Sequence, residues 1–359
     1  MSAFLLYGAN GYTGQLIARE AVVRGLRPIL AGRNAEAVGC LAHELGLEQR
    51  IFSLDDAAAT RAGLERVKAV LHCAGPFAHT ARPMVDACLE ARVHYLDITG
   101  EIGVFESIAA RDTEAMAAGI LLLPGVGFDV VPSDCLAAHL NRRLPGAKHL
   151  ALGFHGVGSY SRGTATTIVE NLHCGGCVRR GGALTKVPAA WRTREIDFGR
   201  GARLAVTIPW GDVSTAFRST GIGDVEVYTA VSRSELRFMR LSRHLGWALR
   251  SPPVQKFLKR RIQARPPGPS VEERAKGCTL LWGEVDDGQG RRMVSRLRGP
   301  EGYTFTMLTA LAVLARVLSG DAPPGYQTPS LAFGADFVLQ VPGVEREDEG
   351  QPAAHLRSV

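Results

Sequence analysis

Short apolar runs alternate with segments of helical period through the first 125 residues. The runs occupy residues 4–7, 28–31, 51–54, 69–73, 93–98 and 120–123. Between them apolar positions recur three and four apart, as Val38, Leu41 and Leu45 do. That segment opens at Asn34, a good helix N-cap, and closes at Gly46, a good C-terminal stop. Six strands alternating with five helices predict an α/β fold, a doubly wound parallel sheet.

After Pro124 the rhythm changes. Residues 149–158 and 203–231 are strand-rich, with Val225, Val227, Thr229 and Val231 alternating with Glu226, Tyr228 and Ala230. Residues 278–298 predict a hairpin around Asp286-Asp287-Gly288-Gln289-Gly290. Residues 307–318 read as a buried helix of about three turns. The expected organisation is a Rossmann domain over 1–132 and a second, α+β domain over 133–343, whose sheet covers the mouth of the first. A polar, disordered tail follows over 344–359.

The chain has 359 residues and a net charge of +7, which permits acidic partners without calling for nucleic acid. Its basic excess is local: residues 233–265 hold ten Lys/Arg and one acid, interleaved with Leu236, Phe238, Met239, Leu241, Leu245, Trp247 and Leu249. This stretch suits a solvated helical face, a membrane-surface helix divided by Pro252-Pro253, or a docking face for an acidic carrier protein. No run reaches the length of a membrane span, and the first residues lack the basic region of a signal peptide. Seven scattered cysteines give no disulfide framework. A cytoplasmic protein is expected, with peripheral membrane attachment as a variant of that reading. A homodimer is compatible with it.

Gly8-Ala9-Asn10-Gly11-Tyr12-Thr13-Gly14 follows the first strand and opens the first helix. In this variant of the dinucleotide fingerprint, Gly8 permits the tight turn and Gly11 lets a pyrophosphate approach the backbone. Gly14 lets helix and strand pack closely, and the N–H groups of the helix start hold the phosphates. A site selective for NAD wants a carboxylate at the end of the second strand. Here stands Ala31-Gly32-Arg33-Asn34, with no acid until Glu36. The Arg33 guanidinium suits a 2′-phosphate, so NADP(H) is the expected cofactor. Its candidate contacts are Gly8, Asn10, Gly11, Tyr12, Thr13, Gly14, Arg33, Asn34, Asp55, Ala74, Gly75, Pro76 and Phe77.

Further segments extend the pattern: Cys73-Ala74-Gly75-Pro76-Phe77, His94-Tyr95-Leu96-Asp97-Ile98-Thr99-Gly100-Glu101 and Pro124-Gly125-Val126-Gly127-Phe128-Asp129. Then come Val130-Val131-Pro132-Ser133-Asp134, Ser161-Arg162-Gly163-Thr164, Pro209-Trp210-Gly211-Asp212 and Gly325-Tyr326-Gln327-Thr328-Pro329. Together with the glycine motif they resemble the saccharopine dehydrogenase-like reductase family, which includes the trans-acting enoyl reductases of mycobacterial lipid synthesis. The resemblance implies an NADP-dependent oxidoreductase and leaves the substrate open. Where the family usually has Ser-Gly-Gly-Thr, this chain has Arg162 in place of the first glycine. That puts a cation near the expected site, to receive a carboxylate or phosphate or to face solvent.

In an open parallel sheet, ligands lie beyond the carboxyl ends of the strands. This places residues 75–77, 99–101 and 127–129 around a nicotinamide. Glu101 and Asp129 are the acids best placed for proton transfer, with Ser133, Asp134 and Tyr160 as further candidates. Asp97, Asp129 and Asp134 are equally suited to capping loops. Cys174-Gly175-Gly176-Cys177, beside His173, lacks the second pair that structural zinc needs, so no metal site is expected.

The leading functional expectation is reduction of an unsaturated or carbonyl-bearing acyl or lipid intermediate. An opine-type reductase of a C=N bond is the alternative, in which Arg162, Arg179, Arg180, Arg192 and Arg194 hold carboxylates. A non-catalytic NADPH-binding regulator is a third. All three share one expectation at the cofactor. Arg33→Ala should weaken NADPH binding by about 1.5–3 kcal/mol, roughly 10- to 150-fold, and leave NADH binding nearly unchanged. Titration with both cofactors checks it; an equal loss for both would show that Arg33 does not read the 2′-phosphate.

Overall fold

A computed structural model describes residues 4–157, 160–171, 174–243 and 246–349. The chain begins with β1 (Phe4–Tyr7), α1 (Tyr12–Val23), β2 (Ile29–Gly32), α2 (Ala35–Leu45) and β3 (Gln49–Ile51). It continues through α3 (Ala57–Gly63), β4 (Ala69–His72), α4 (Phe77–Ala91) and β5 (His94–Asp97). Two helices, α5 (Ile102–Ala109) and α6 (Asp112–Ala118), precede β6 (Leu121–Leu123), where the sequence pattern had suggested one. From there α7 (Val131–Arg143) leads to the second layer.

That layer holds β7 (His149–Val157), α8 (Arg162–Asn171), β8 (Gly176–Arg180), β9 (Ala183–Val187), β10 (Thr193–Asp197) and β11 (Ala202–Thr207). Next come α9 (Asp212–Thr220) and β12 (Asp224–Ala230), so the strand-rich stretch at 203–231 contains a helix. The basic stretch forms α10 (Arg233–Ser242), α11 (Gly246–Leu249) and α12 (Pro252–Gln263), followed by α13 (Val271–Lys276). The expected hairpin is β13 (Cys278–Asp286) and β14 (Arg292–Pro300). The chain ends with α14 (Gly302–Leu318), β15 (Gly325–Tyr326), α15 (Pro329–Phe333) and β16 (Glu345–Asp348).

The first sheet has seven parallel strands in the order β15-β6-β5-β4-β1-β2-β3. Its side chains alternate between two cores. Phe4 and Leu6 of β1 face the cluster built on α1 and α14, while Leu5 and Tyr7 face the one built on α4 and α5. The second sheet has nine strands and is mixed: β7 pairs parallel to β12 and antiparallel to β13. Buried residues of α7, among them Leu136 and Leu140, share one apolar cluster with Leu6 and Leu71 of the first sheet. Leu150, Val227 and Leu281 of the second sheet join the same cluster. The two layers are thus fused through a common core.

Two boundaries expected from the sequence are corrected. The first sheet does not end with residue 132, because β15 pairs with β6 and α14 packs beneath the sheet. A two-residue strand such as Gly325–Tyr326 carries no periodic signal, so only its pairing reveals it. The expected tail is structured at its start: β16 pairs with β14, and Asp348 accepts from His139 Nε2 and Ser295 Oγ. Residues 350–359 lie outside the described residues.

The crossing from first to second layer depends on one carboxylate. Asp97, fully buried at the end of β5, accepts through Oδ1 from Thr99 N (2.9 Å) and Gly125 N (2.8 Å). Its Oδ2 accepts from Tyr95 Oη at 2.8 Å. Burial outweighs these donors and lifts its pKa to about 6. Asp97→Ala would strand two amides and a phenol in the core, and should cost about 2–4 kcal/mol. Urea denaturation measures it; a loss below about 1 kcal/mol would show that the loops hold themselves.

Candidate functional site

The order of the first sheet reverses between β1 and β4, and the crevice opens there. The chain leaves β1 at Gly8, which has a φ of +81° and donates its N–H to Ala31 O at 2.8 Å. A Cβ on Gly8 would lie 2.7 Å from Ala74 N, and one on Gly14 would lie 2.4 Å from Gly8 O. Only glycine lets this turn fit between the exit of β4 and the start of α1. Gly11 is the N-cap of α1 and no side chain caps that helix, so its first N–H groups can hold a pyrophosphate.

At the far end of the crevice β2 finishes in Gly32, Arg33 and Asn34, with no carboxylate. Arg33 is exposed, lies within electrostatic reach of the Tyr7 phenol, and has no hydrogen bond or ion pair among the described residues. It can meet a 2′-phosphate. Asn34 behaves as the cap expected from the sequence: its Oδ1 accepts from Ala37 N at 3.0 Å and is not free for a ligand. Asp55 is exposed and accepts from Ser53 Oγ, so its charge opposes a phosphate placed near it. The Asn10 carbonyl is taken by an internal contact, accepting from Gln15 Nε2.

Tyr12 departs from its expected role. Its hydroxyl donates to Pro269 O at 2.5 Å, its ring lies against Gly268, and Tyr303 meets it edge-on with centroids 5.1 Å apart. The side chain thus binds a strap from the second layer, leaving only its backbone N–H, with that of Thr13, for a phosphate. The same strap explains Arg162, whose N and Nε donate to Pro267 O and Arg265 O. The Arg162 side chain is tied to the strap through its Nε.

The five proton-transfer candidates separate sharply. Glu101 accepts from Phe77 N (2.7 Å) and Ala78 N (2.9 Å), with one oxygen on each. It caps α4, and this fixes residues 74–77 after β4 by making their backbone an acceptor-supported turn. Both of its oxygens are therefore engaged. Ser133 is fully buried within α7 and donates to Val130 O, out of reach of the crevice. Tyr160 is 61% exposed and stands at the rim. Asp129 is the acid that remains. Its carboxylate packs over Gly100, where a Cβ would lie 3.0 Å from Oδ2, and burial raises its pKa to about 7.

The surroundings of Asp129 are aromatic. Phe128 packs against Phe154 and Phe305, and Phe154 against Trp210. Trp210 Nε1 donates to Asp129 O at 2.9 Å, tying the wall to the acid's backbone. Tyr303 completes the group: its hydroxyl accepts from Ser161 N at 2.6 Å, lies 3.0 Å from Thr164 Oγ1, and feels the charge of Asp129. Sequence reasoning missed Tyr303, since it stands 174 positions after Asp129 with no motif around it. Asp134 is structural, its Oδ2 accepting from Ser330 N at 2.7 Å.

The remaining arginines are committed elsewhere. Arg179 pairs with Glu106 and stacks on Phe217. Arg180 and Arg192 share Glu226, and Arg194 pairs with Glu284. Of the cysteine pair, Cys177 lies in β8 and Cys174 precedes it, while His173 lies outside the described residues. Among the described residues no three His, Cys, Asp or Glu side chains gather as metal ligands.

The N-terminal region, residues 4–123, matches the family model of the saccharopine dehydrogenase NADP binding domain. The chain is 33% identical over 147 residues to a trans-acting enoyl reductase of Mycobacterium ulcerans, covering 39% of this chain and 35% of that relative. It is 33% identical over 148 residues to the trans-acting enoyl reductase of Mycobacterium leprae, again covering 39% and 35%. The aligned part spans about a third of the length of these curated relatives. Among solved structures, saccharopine dehydrogenase (L-Glu forming) from Saccharomyces cerevisiae superposes with a TM-score of 0.65. It covers 97% of this chain and 100% of that one at 12% identity. Residues 4–123 are therefore similar to a saccharopine dehydrogenase NADP binding domain, set in a chain whose fold as a whole is that of the Saccharomyces cerevisiae structure.

Proposed function

We propose that the protein is an NADP-dependent reductase of an unsaturated or carbonyl-bearing acyl or lipid intermediate. The glycine turn, the uncapped start of α1 and the unpaired Arg33 fit a dinucleotide with a 2′-phosphate, which supplies the hydride when bound. The observation that carries the substrate class is the lining around Asp129. Phe128 and Trp210, half-buried and backed by the core residues Phe154 and Phe305, give an apolar wall, whereas Arg179, Arg180, Arg192 and Arg194 are held in ion pairs and Arg162 in the strap. An opine-type substrate with its carboxylates would compete with Glu106, Glu226 and Glu284 for four of these cations. The relatives named as trans-acting enoyl reductases support the same reading.

In this reading Asp129 carries the proton on its carboxyl and delivers it to the reduced substrate. A group with a pKa of about 7 is well matched to that task near neutrality. Tyr303 positions the loop at 160–164 over the acid, and Trp210 keeps water from its backbone side. Such a proton donor and wall also favour an enzyme over a non-catalytic NADPH-binding regulator. The basic helices at 233–265 serve association, with a peripheral place at a membrane or against an acidic carrier protein.

The test is NADPH oxidation against enoyl and ketoacyl thioesters, with 2-oxo acid and amino acid mixtures as the rival set. Turnover should appear with the thioesters and fall as pH rises through about 7. Asp129→Asn should lower kcat by about 10²–10⁴-fold and remove that pH dependence. Stability gives a second readout. The folded pKa of Asp129 lies above its unfolded value, so the native state keeps the proton longer and stability falls as pH rises from about 4 to about 7. Asp129→Asn should flatten this slope. An unchanged pH profile in the variant, or turnover with the amino acid mixtures alone, would overturn the proposal.

A further inference from the structure

We infer that α10, α11 and α12 form a docking face for an anionic membrane surface. The inference rests on the two sides of these helices and stands apart from the reading of the catalytic site.

Each helix is held by a narrow inner side. In α10, Leu236 is buried and Met239 packs beside it against Ala190 and Val206. In α12, Ile262 is buried, Gln255 donates to Val169 O and Leu249 O, and Lys259 pairs with Glu170 of α8. The outer sides have another composition. On α10, Arg237, Phe238 and Leu241 fall three and four positions apart, and Phe238 and Leu241 are 59% and 57% exposed. On α12, Phe257 is 57% exposed and precedes Arg260 and Arg261 by three and four positions, with the Arg261 guanidinium 5.5 Å from its ring. Between them, Trp247 of α11 is 79% exposed.

The charges here are dense and almost all of one sign. Arg19, Arg111, Arg142 and Arg180 all face carboxylates. Arg237, Arg250, Lys256, Arg260 and Arg261 have no ion pair among the described residues, and the sole acid of the stretch, Glu235, is engaged in capping Ser232. With ten cations at 233–265 and a whole-chain charge of +7, the rest of the molecule is slightly acidic. The net positive charge of the chain therefore comes from this stretch.

Large apolar side chains standing in water beside unpaired cations match the interfacial zone of an anionic bilayer. Aromatic rings sink to the acyl boundary there while arginine stems lie along it and their heads meet phosphates. The apolar groups are distributed one or two to a helix, each flanked by cations. A bilayer accepts such groups separately; a folded acidic partner would need a pocket for each. The face also borders the crevice. Glu235 at the start of α10 lies within electrostatic reach of Tyr160, and the chain after α12 runs into the strap over Tyr12.

Co-sedimentation of the full chain with phosphatidylcholine vesicles, with and without phosphatidylglycerol, tests this. Binding should require the anionic lipid, weaken with salt, and shift Trp247 emission to the blue. Arg237→Gln, Arg260→Gln and Arg261→Gln together should lower partitioning roughly 100-fold. Phe238→Ser, Trp247→Ser and Phe257→Ser together should lower it at least about 10-fold and abolish the emission shift. Both sets should keep wild-type NADPH affinity, which reports that the fold is intact. No binding to anionic vesicles, binding unaffected by the apolar set, or capture of an acidic carrier protein in place of vesicles would overturn the inference.

Discussion

The carboxylate of Asp97 sits at the end of β5, out of contact with water, and accepts three hydrogen bonds at once. Two come from the backbone of the loops that follow β5 and β6, and Val126 N donates to its carbonyl as well. Those loops carry Glu101 and Asp129. Glu101 in turn holds the start of α4, and with it the turn after β4 that presses on Gly8. The chain of contacts thus runs from one buried carboxylate to the glycine turn on one side and to the loop that carries Asp129 on the other. A pKa of about 6 for Asp97 shows how strongly burial opposes the charge that makes these contacts.

Much of this was legible in the sequence wherever one residue type has one physical use. The glycine spacing gave the turn because a Cβ at Gly8 or Gly14 has nowhere to go. Asn34 was visible as a cap and the apolar runs as buried strands. The site was less legible, because proton-transfer candidates and capping residues are the same residue types. Glu101 and Ser133 look as suitable as Asp129 until their partners are known. Glu101 turns out to bind amides two dozen residues upstream, while Ser133 is sealed in α7. Tyr303, and the strap that occupies Tyr12 and Arg162, depend on contacts between segments more than 100 positions apart, for which no local pattern exists.

The fused core explains why these distant contacts can be relied on geometrically. The apolar cluster of α7 joins both sheets, and α14 returns beneath the first sheet to present Tyr303 beside Tyr12. The arginines that crowd the second sheet stabilise its outer face through Glu226 and Glu284, and are directed away from the crevice. Charge and apolar surface are thereby sorted. Asp129 stands against an aromatic wall, while a dense group of cations without carboxylate partners lies on α10–α12.

The proposed chemistry depends on a cofactor whose reactive end faces Asp129. A crystal structure of the protein with NADPH bound tests that most directly. The pyrophosphate should lie on the N–H groups of Tyr12 and Thr13, the 2′-phosphate against Arg33, and the nicotinamide beyond residues 75–77 with Asp129 and the Phe128–Trp210 wall across from it. A nicotinamide directed away from Asp129, or one facing the paired arginines of the second sheet, would contradict it.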